Sequence, residues 1–152
     1  IIYIDSVSMP RIPIDKIYMQ IAYQTAKLSY AERRKVGCII VKDEQIVSFG
    51  YNGTPHGFDN KCESCEDSKL VTKPEVLHAE SNAITKLAKS TLTSVGADLY
   101  TTTMPCYGCS KLIIQAGIKR VFYSENYRDK SGVDLLEKAG IEVHEVICWN
   151  NQ

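Results

Sequence analysis

The sequence has no surplus of charge, no long apolar run and few aromatic side chains other than tyrosine. Lys plus Arg and Asp plus Glu each number 18, so the formal net charge is zero and no global field draws the chain toward a polyanion. Nucleic-acid-binding domains are usually basic, so a nucleic-acid partner is not expected. No apolar stretch approaches the roughly 20 residues of a membrane span, so no membrane helix is expected. Ile1-Ile2-Tyr3-Ile4 is too short for a signal-peptide core and follows no basic residue, which makes a cytoplasmic location the expectation.

What is present is ordinary for a soluble domain: 44% hydrophobic and 24% charged residues over 152 positions. That length predicts one domain over 1–152, able to bury roughly 70% of its unfolded surface without staples. Ile14, Ile17, Tyr18, Ile21, Ala22 and Leu28 recur near helical spacing behind Pro13, predicting an amphipathic first helix. Val36 to Val41 is a short β-branched run, turned back by Lys42-Asp43-Glu44-Gln45 onto a partner strand over Ile46 to Phe49. From Tyr51 to Pro74 periodicity is lost and a long functional loop is expected. Next come a helix from Glu75 or Val76 to Lys89, a strand over Ala97 to Thr103, and a helix opening at Cys106 and stopped by Gly117. A strand over Lys119 to Tyr123, a helix over Val133 to Lys138 and a last strand over Ile141 to Val146 complete the order α-β-β-α-β-α-β-α-β. Strands alternating with helices in the second half predict parallel pairing, hence a mixed five-stranded sheet with helices on both faces.

One constellation carries chemistry. His78 and the pair Cys106 and Cys109, which follows Pro105, supply three soft metal ligands, and Glu80 is a spare carboxylate two residues after the histidine. Catalytic zinc sites hold three protein ligands and leave the fourth position open, whereas structural sites fill all four. Two thiolates and a neutral imidazole bring the first shell of Zn2+ near zero charge. Such an ion acidifies water less than an all-imidazole site, so a nearby base is needed and Glu80 fits that task. At a helix start both sulfurs face one side and the free N–H groups favour thiolates. His78 and Glu80 would diverge within a continuous helix, so they can share a site only near a helix start. The alternative is a closed structural zinc site with Cys62, Cys65 or Cys38 as fourth ligand.

The pattern H-x-E followed by P-C-x-x-C is the signature of zinc nucleobase deaminases. With Gly50-Tyr51-Asn52-Gly53-Thr54-Pro55, His78-Ala79-Glu80-Ser81-Asn82-Ala83-Ile84 and Leu112-Ile113-Ile114-Gln115-Ala116-Gly117-Ile118-Lys119, the chain resembles the cytidine deaminase superfamily and, within it, the deoxycytidylate deaminases. The likeness runs from about Ile17 to Val146. It implies a three-layer α/β/α fold and hydrolytic deamination of dCMP to dUMP and ammonia, with Zn2+ on His78, Cys106 and Cys109 and Glu80 as proton shuttle. It implies substrate contacts at Asn52, Ala79, Pro105 and Tyr127, with the pyrimidine edge held by backbone around Ala79, Met104 and Pro105. It further implies a homo-hexamer activated by dCTP with Mg2+ and inhibited by dTTP, the effector lying near Gly50, Tyr51 and Gly53. Ser81 stands where relatives often carry Leu, at a position expected to touch no ligand. Two other functions stay open: a tRNA or polynucleotide deaminase, and a non-catalytic nucleotide-sensing zinc protein.

The substrate phosphate needs cationic donors, for which Lys27, Arg33, Arg34, Lys35 and Arg128 are candidates. Cys62 and Cys65 could hold a second metal with His56 or Cys38, form a disulfide, or stay free thiols. Cys38 and Cys148 are read as packing residues, and His56 and His144 as ordinary polar residues.

Overall fold

The computed structural model describes residues 12–148. Their elements are α1 Ile14–Ala26, β1 Gly37–Lys42, β2 Gln45–Tyr51, β3 Glu63–Glu66, β4 Lys69–Thr72, α2 Ala79–Leu87, β5 Asp98–Thr103, α3 Tyr107–Gln115, β6 Arg120–Glu125, α4 Ser131–Lys138 and β7 Glu142–Glu145. Five strands form one sheet in the order β2-β1-β5-β6-β7, and β3 with β4 forms a separate hairpin. β1 runs antiparallel to β2 and β5, whereas β5, β6 and β7 run parallel, so the sheet is mixed as the element order predicts.

Period-two alternation divides the core between the two faces of the sheet. Cys38, Ile40, Leu99 and Val121 point toward Ala79, Ala83, Ile113 and Leu136 of α2, α3 and α4. Ile39, Val41, Tyr100 and Phe122 point to the other side, where Met19 and Ala22 of α1 cover them. On that side Tyr100 stacks on Phe122 at 4.5 Å between centroids, and its hydroxyl donates to Asp15. Phe122 in turn stacks on His144 at 5.1 Å, so His144 is a packing residue.

The buried face of α1 differs from the expected one. Ala22 is buried and Tyr18 and Ile21 pack against the core as expected, but Ile14, Ile17 and Leu28 are exposed, and Met19, Thr25 and Ala26 are buried in their place. The cause lies in Gly37: a Cβ there would sit 2.0 Å from the Ala22 carbonyl oxygen and 2.5 Å from the Ala26 nitrogen. Backbone contact through small residues therefore sets the rotation of α1, rather than its largest apolar side chains. Gly37→Ala is expected to cost about 3 kcal/mol by overpacking, a fall in Tm of roughly 6–12 °C for a chain of this size. Thermal unfolding checks it, and a Tm within 2 °C of the parent would show that α1 is free to shift.

The span expected to be one long loop contains the β3–β4 hairpin. Its turn, Asp67-Ser68, has φ of 46° and 63° without glycine or asparagine, as does the β1–β2 turn at Asp43-Glu44 with 50° and 61°. The usual sequence signal for a two-residue hairpin is thus missing at both. The second helix is also shorter than expected. It begins at Ala79, leaving His78 as an extended N-cap residue with φ −74° and ψ 159°.

Candidate active site and metal centre

Two helix starts meet at one point. His78 caps α2, and Cys106 caps α3 with its sulfur accepting the Cys109 N–H at 3.4 Å. The ring Nδ1 of His78 lies 3.4 Å from the sulfur of Cys106 and 3.4 Å from that of Cys109. A tetrahedral zinc with its usual Zn–S and Zn–N lengths separates nitrogen from sulfur by ~3.6 Å, so these edges fit the ion. Among the described residues this trio is the one cluster of three or more metal-ligating side chains. Its burial is graded: His78 exposed, Cys106 half-buried, Cys109 buried, so the site opens on the histidine side.

The protonation chemistry also suits a dication. Cys106 is held well below the ordinary thiol value, first by the hydrogen bond from Cys109 and then by His78. Cys109 is pushed far up, first by that same partner and then by burial. His78 is raised, chiefly by its bond to Cys106. A dication held by the three groups would take the place of the protons they share.

Glu80 lies behind them. It is 4% exposed, and burial pushes its carboxyl above the ordinary carboxylate range, with its own backbone N–H and nearby His78 pulling the other way. The Thr101 hydroxyl donates to Glu80 Oε1 at 3.2 Å, and the same hydroxyl lies 3.1 Å from the Thr103 carbonyl. The shift in helix start is what lets His78 and Glu80 converge. An extended residue at 78 breaks the helical spacing that would drive the two side chains apart. Cys38 sits opposite Thr101 on β1, fully buried with its thiol pushed up by desolvation, and is inert packing.

Of the other residues singled out in the sequence, Asn52 is already at work. Its Oδ1 accepts the Val36 N–H at 2.9 Å and its Nδ2 donates to the Arg34 carbonyl at 2.8 Å, which leaves one amide proton for another partner. Ala79 and Pro105 are buried beside the ligands, and Tyr127 is exposed on the segment after β6. Gly50 is buried in β2, where a Cβ would lie 2.3 Å from the Ala79 carbonyl oxygen, so close helix packing explains its glycine. The Tyr51 carbonyl accepts Asn82 Nδ2 at 2.8 Å, and Gly53 pairs with Leu77, the residue before His78. Ser81 differs from expectation: its hydroxyl donates to the His78 carbonyl at 2.9 Å, so it braces a proposed ligand's backbone. Cys62 is buried and Cys65 exposed, and both are free thiols that join no cluster of ligands among the described residues.

Three supports were not visible in the sequence. Thr101 is one of three consecutive threonines, and only the register of β5 shows which of them faces Glu80. Gly132 of α4 packs so tightly on the Pro105–Cys106 turn that a Cβ would lie 2.3 Å from the Pro105 carbonyl oxygen. Glu63, masked by the neighbouring cysteines, is 4% exposed and accepts the N–H groups of Glu32 and Arg33 at 3.0 and 3.2 Å.

Residues 13–125 match the family profile for the cytidine and deoxycytidylate deaminase zinc-binding region. The chain belongs to that family. It is 37% identical over 138 residues to the deoxycytidylate deaminase of Saccharomyces cerevisiae, covering 86% of this chain and 44% of the yeast protein. The human deoxycytidylate deaminase is 41% identical over 140 residues, 86% of this chain and 78% of that one. A crystal structure of the dCMP deaminase from cyanophage S-TIM5 with dCMP and dUMP superposes with a TM-score of 0.82 at 46% identity, covering 88% of this chain and 96% of the phage protein. The chain thus spans under half the length of the yeast relative and nearly all of the phage one. The family's fold and the His/Cys/Cys set that fits zinc are both present.

Proposed function

We propose that the chain catalyses hydrolytic deamination of dCMP to dUMP and ammonia, supplying dUMP for dTTP synthesis. The observation that carries this is the convergence of His78, Cys106 and Cys109 in front of a buried Glu80. It occurs in a chain that matches, over most of its length, a phage dCMP deaminase crystallised with dCMP and dUMP.

His78, Cys106 and Cys109 would hold the zinc, which when bound supplies a Lewis acid that makes water nucleophilic near neutral pH. Glu80 takes a proton from the attacking water and delivers it to ring N3. Once the oxygen has bonded to C4, Glu80 carries the remaining hydroxyl proton to the amine, and the C4–N bond breaks to release ammonia. Burial suits this work because it raises the carboxyl toward the pH at which it must both accept and donate. Thr101 fixes one carboxylate oxygen and leaves the other for the reacting atoms. The backbone of Ala79, the first residue of α2, and that of Met104 and Pro105 hold the pyrimidine edge. Asn52 offers its remaining amide proton to the sugar hydroxyl, and Tyr127 flanks the nucleotide. The chain acts as one domain in the cytoplasm, as a homo-hexamer activated by dCTP, carried with Mg2+, and inhibited by dTTP; the loop at Gly50, Tyr51 and Gly53 receives the effector.

Zero net charge favours a free nucleotide over a polynucleotide. Turnover of dCMP, cytidine, dCTP and an RNA oligonucleotide, each with and without dCTP or dTTP as effector, tests the proposal. Preference for dCMP is the expected result. Activity on RNA with none on dCMP would reverse the choice of substrate, and kinetics blind to both effectors would remove the regulation.

A further inference from the structure

Three threonines end β5, and the fold gives their hydroxyls unequal company. The Thr101 hydroxyl lies 3.2 Å from Glu80 Oε1 and 3.1 Å from the Thr103 carbonyl. Thr102, on the opposite face by the two-residue alternation of a strand, accepts the Gly37 N–H at 3.2 Å. Thr103 is 8% exposed, and its hydroxyl is enclosed without a hydrogen-bond partner in the protein. Leaving a buried hydroxyl unpaired is destabilising, and folded proteins keep few such groups. Among the described residues the Ser110 hydroxyl is the other one. It is fully buried in the contact between α3 and α4, where a Cβ on Gly132 would come within 2.8 Å of it, so helix packing accounts for its place.

Thr103 is placed differently. Alternation sets it on the face of Thr101, the one that meets Glu80, and two residues nearer the carboxyl end of a strand that runs parallel to β6. Ligands of α/β sheets bind beyond that end of the strands. Met104, Pro105 and Cys106 follow it directly. Its carbonyl is held by the Thr101 hydroxyl, and the Met104 N–H donates to the Glu125 carbonyl at 2.9 Å, so the backbone on both sides of the hydroxyl is fixed.

We infer that the Thr103 hydroxyl hydrogen-bonds the polar edge of the substrate's pyrimidine ring and so helps select the base. This rests on the proposed dCMP deaminase activity. Depth favours the base over the sugar or the phosphate, since a group enclosed on the same face as the buried Glu80 meets the end of the nucleotide that enters furthest. A hydroxyl both accepts and donates. It can accept from the amine of dCMP and turn to donate to the carbonyl that replaces that amine in dUMP. Valine, of the same shape, can do neither. The unpaired hydroxyl destabilises the free protein, and a bound pyrimidine relieves it, so the difference appears as affinity.

Thr103→Val separates this role from a purely structural one, because the two predict opposite changes in stability. Removing an unpaired buried hydroxyl is expected to raise the Tm of the free chain by about 3 °C. Over the same substitution kcat/KM for dCMP should fall roughly three- to tenfold, and the dissociation constant of dUMP, read by calorimetry, should rise by a similar factor. Thr103→Ser keeps the hydroxyl and should bind dUMP within twofold of the parent. A lowered Tm in Thr103→Val would show that the hydroxyl has a partner in the free protein, and unchanged kcat/KM and dUMP affinity would remove it from the substrate site. Either result overturns the inference. Failure of the dCMP reading has another signature: the parent itself would neither turn over dCMP nor bind dUMP, which overturns the activity on which the inference stands.

Discussion

Glu80→Gln is expected to lower kcat for dCMP by roughly 10²–10⁴-fold, the usual worth of a positioned proton-transfer group. KM and zinc content should stay near those of the parent. The substitution is nearly isosteric, and the amide oxygen can still accept the Thr101 hydroxyl, so neither β5 nor α2 has reason to move. Burial makes the charged carboxylate unfavourable at this position, so removing the charge is expected to leave Tm unchanged or raise it. The result isolates proton transfer from metal binding, because the three ligand side chains are untouched. Turnover, metal analysis and thermal unfolding on the same preparation check it. Retention of more than a tenth of kcat would show that protons travel by another route, and loss of zinc would make Glu80 a support of the metal rather than a shuttle.

Stripping the metal with a strong chelator is expected to abolish turnover and lower Tm by roughly 10 °C. The second figure follows from mass action, since free zinc at a thousand times its dissociation constant stabilises the folded state by about 4 kcal/mol. At this chain length each kcal/mol is worth roughly 2–4 °C. The stripped chain should nevertheless remain folded. His78 and Cys106 lie at the rim, while the two sets of core residues, Ile40, Leu99 and Ile113 on one face and Met19, Tyr100 and Phe122 on the other, do not depend on the ion. Far-ultraviolet circular dichroism should barely change, and added Zn2+ should restore activity and Tm together. Full turnover by the stripped chain would remove the metal from the chemistry, and global unfolding on chelation would make the site a structural one.

The two tests separate because the proposed metal ligands and the proposed proton shuttle sit on different supports. The ligands are gathered by helix starts: His78 as the cap of α2, Cys106 as the cap of α3 and Cys109 one turn in. The carboxylate is gathered by the sheet, through Thr101 on β5 with Cys38 beside it on β1. Gly50 and Gly132 make this possible by removing the side chains that would hold α2 away from β2 and α4 away from the Pro105–Cys106 turn.

The H-x-E and P-C-x-x-C spacing was legible because metal chemistry depends on residue type and a short separation, both of which survive in one dimension. The element order was legible for a similar reason. Ile39-Ile40-Val41 and the later strands carry local apolar signals, and the helices between β5, β6 and β7 permit parallel pairing. The β3–β4 hairpin was not, since Asp67-Ser68 turns the chain at positive φ without the residues that usually announce it. The rotation of α1 was not, since it answers to Gly37 eleven residues beyond its end.

By itself, then, the sequence determined a His/Cys/Cys set that fits zinc, a carboxylate two residues after its histidine and a mixed sheet between helices. Each follows from a residue's own chemistry or from the period of its neighbours. Tertiary structure decided which of three threonines meets Glu80 and that Asn52 and Glu63 pin the chain around Arg34. Those facts join residues dozens of positions apart, and only strand register and close backbone packing bring such partners within hydrogen-bonding distance.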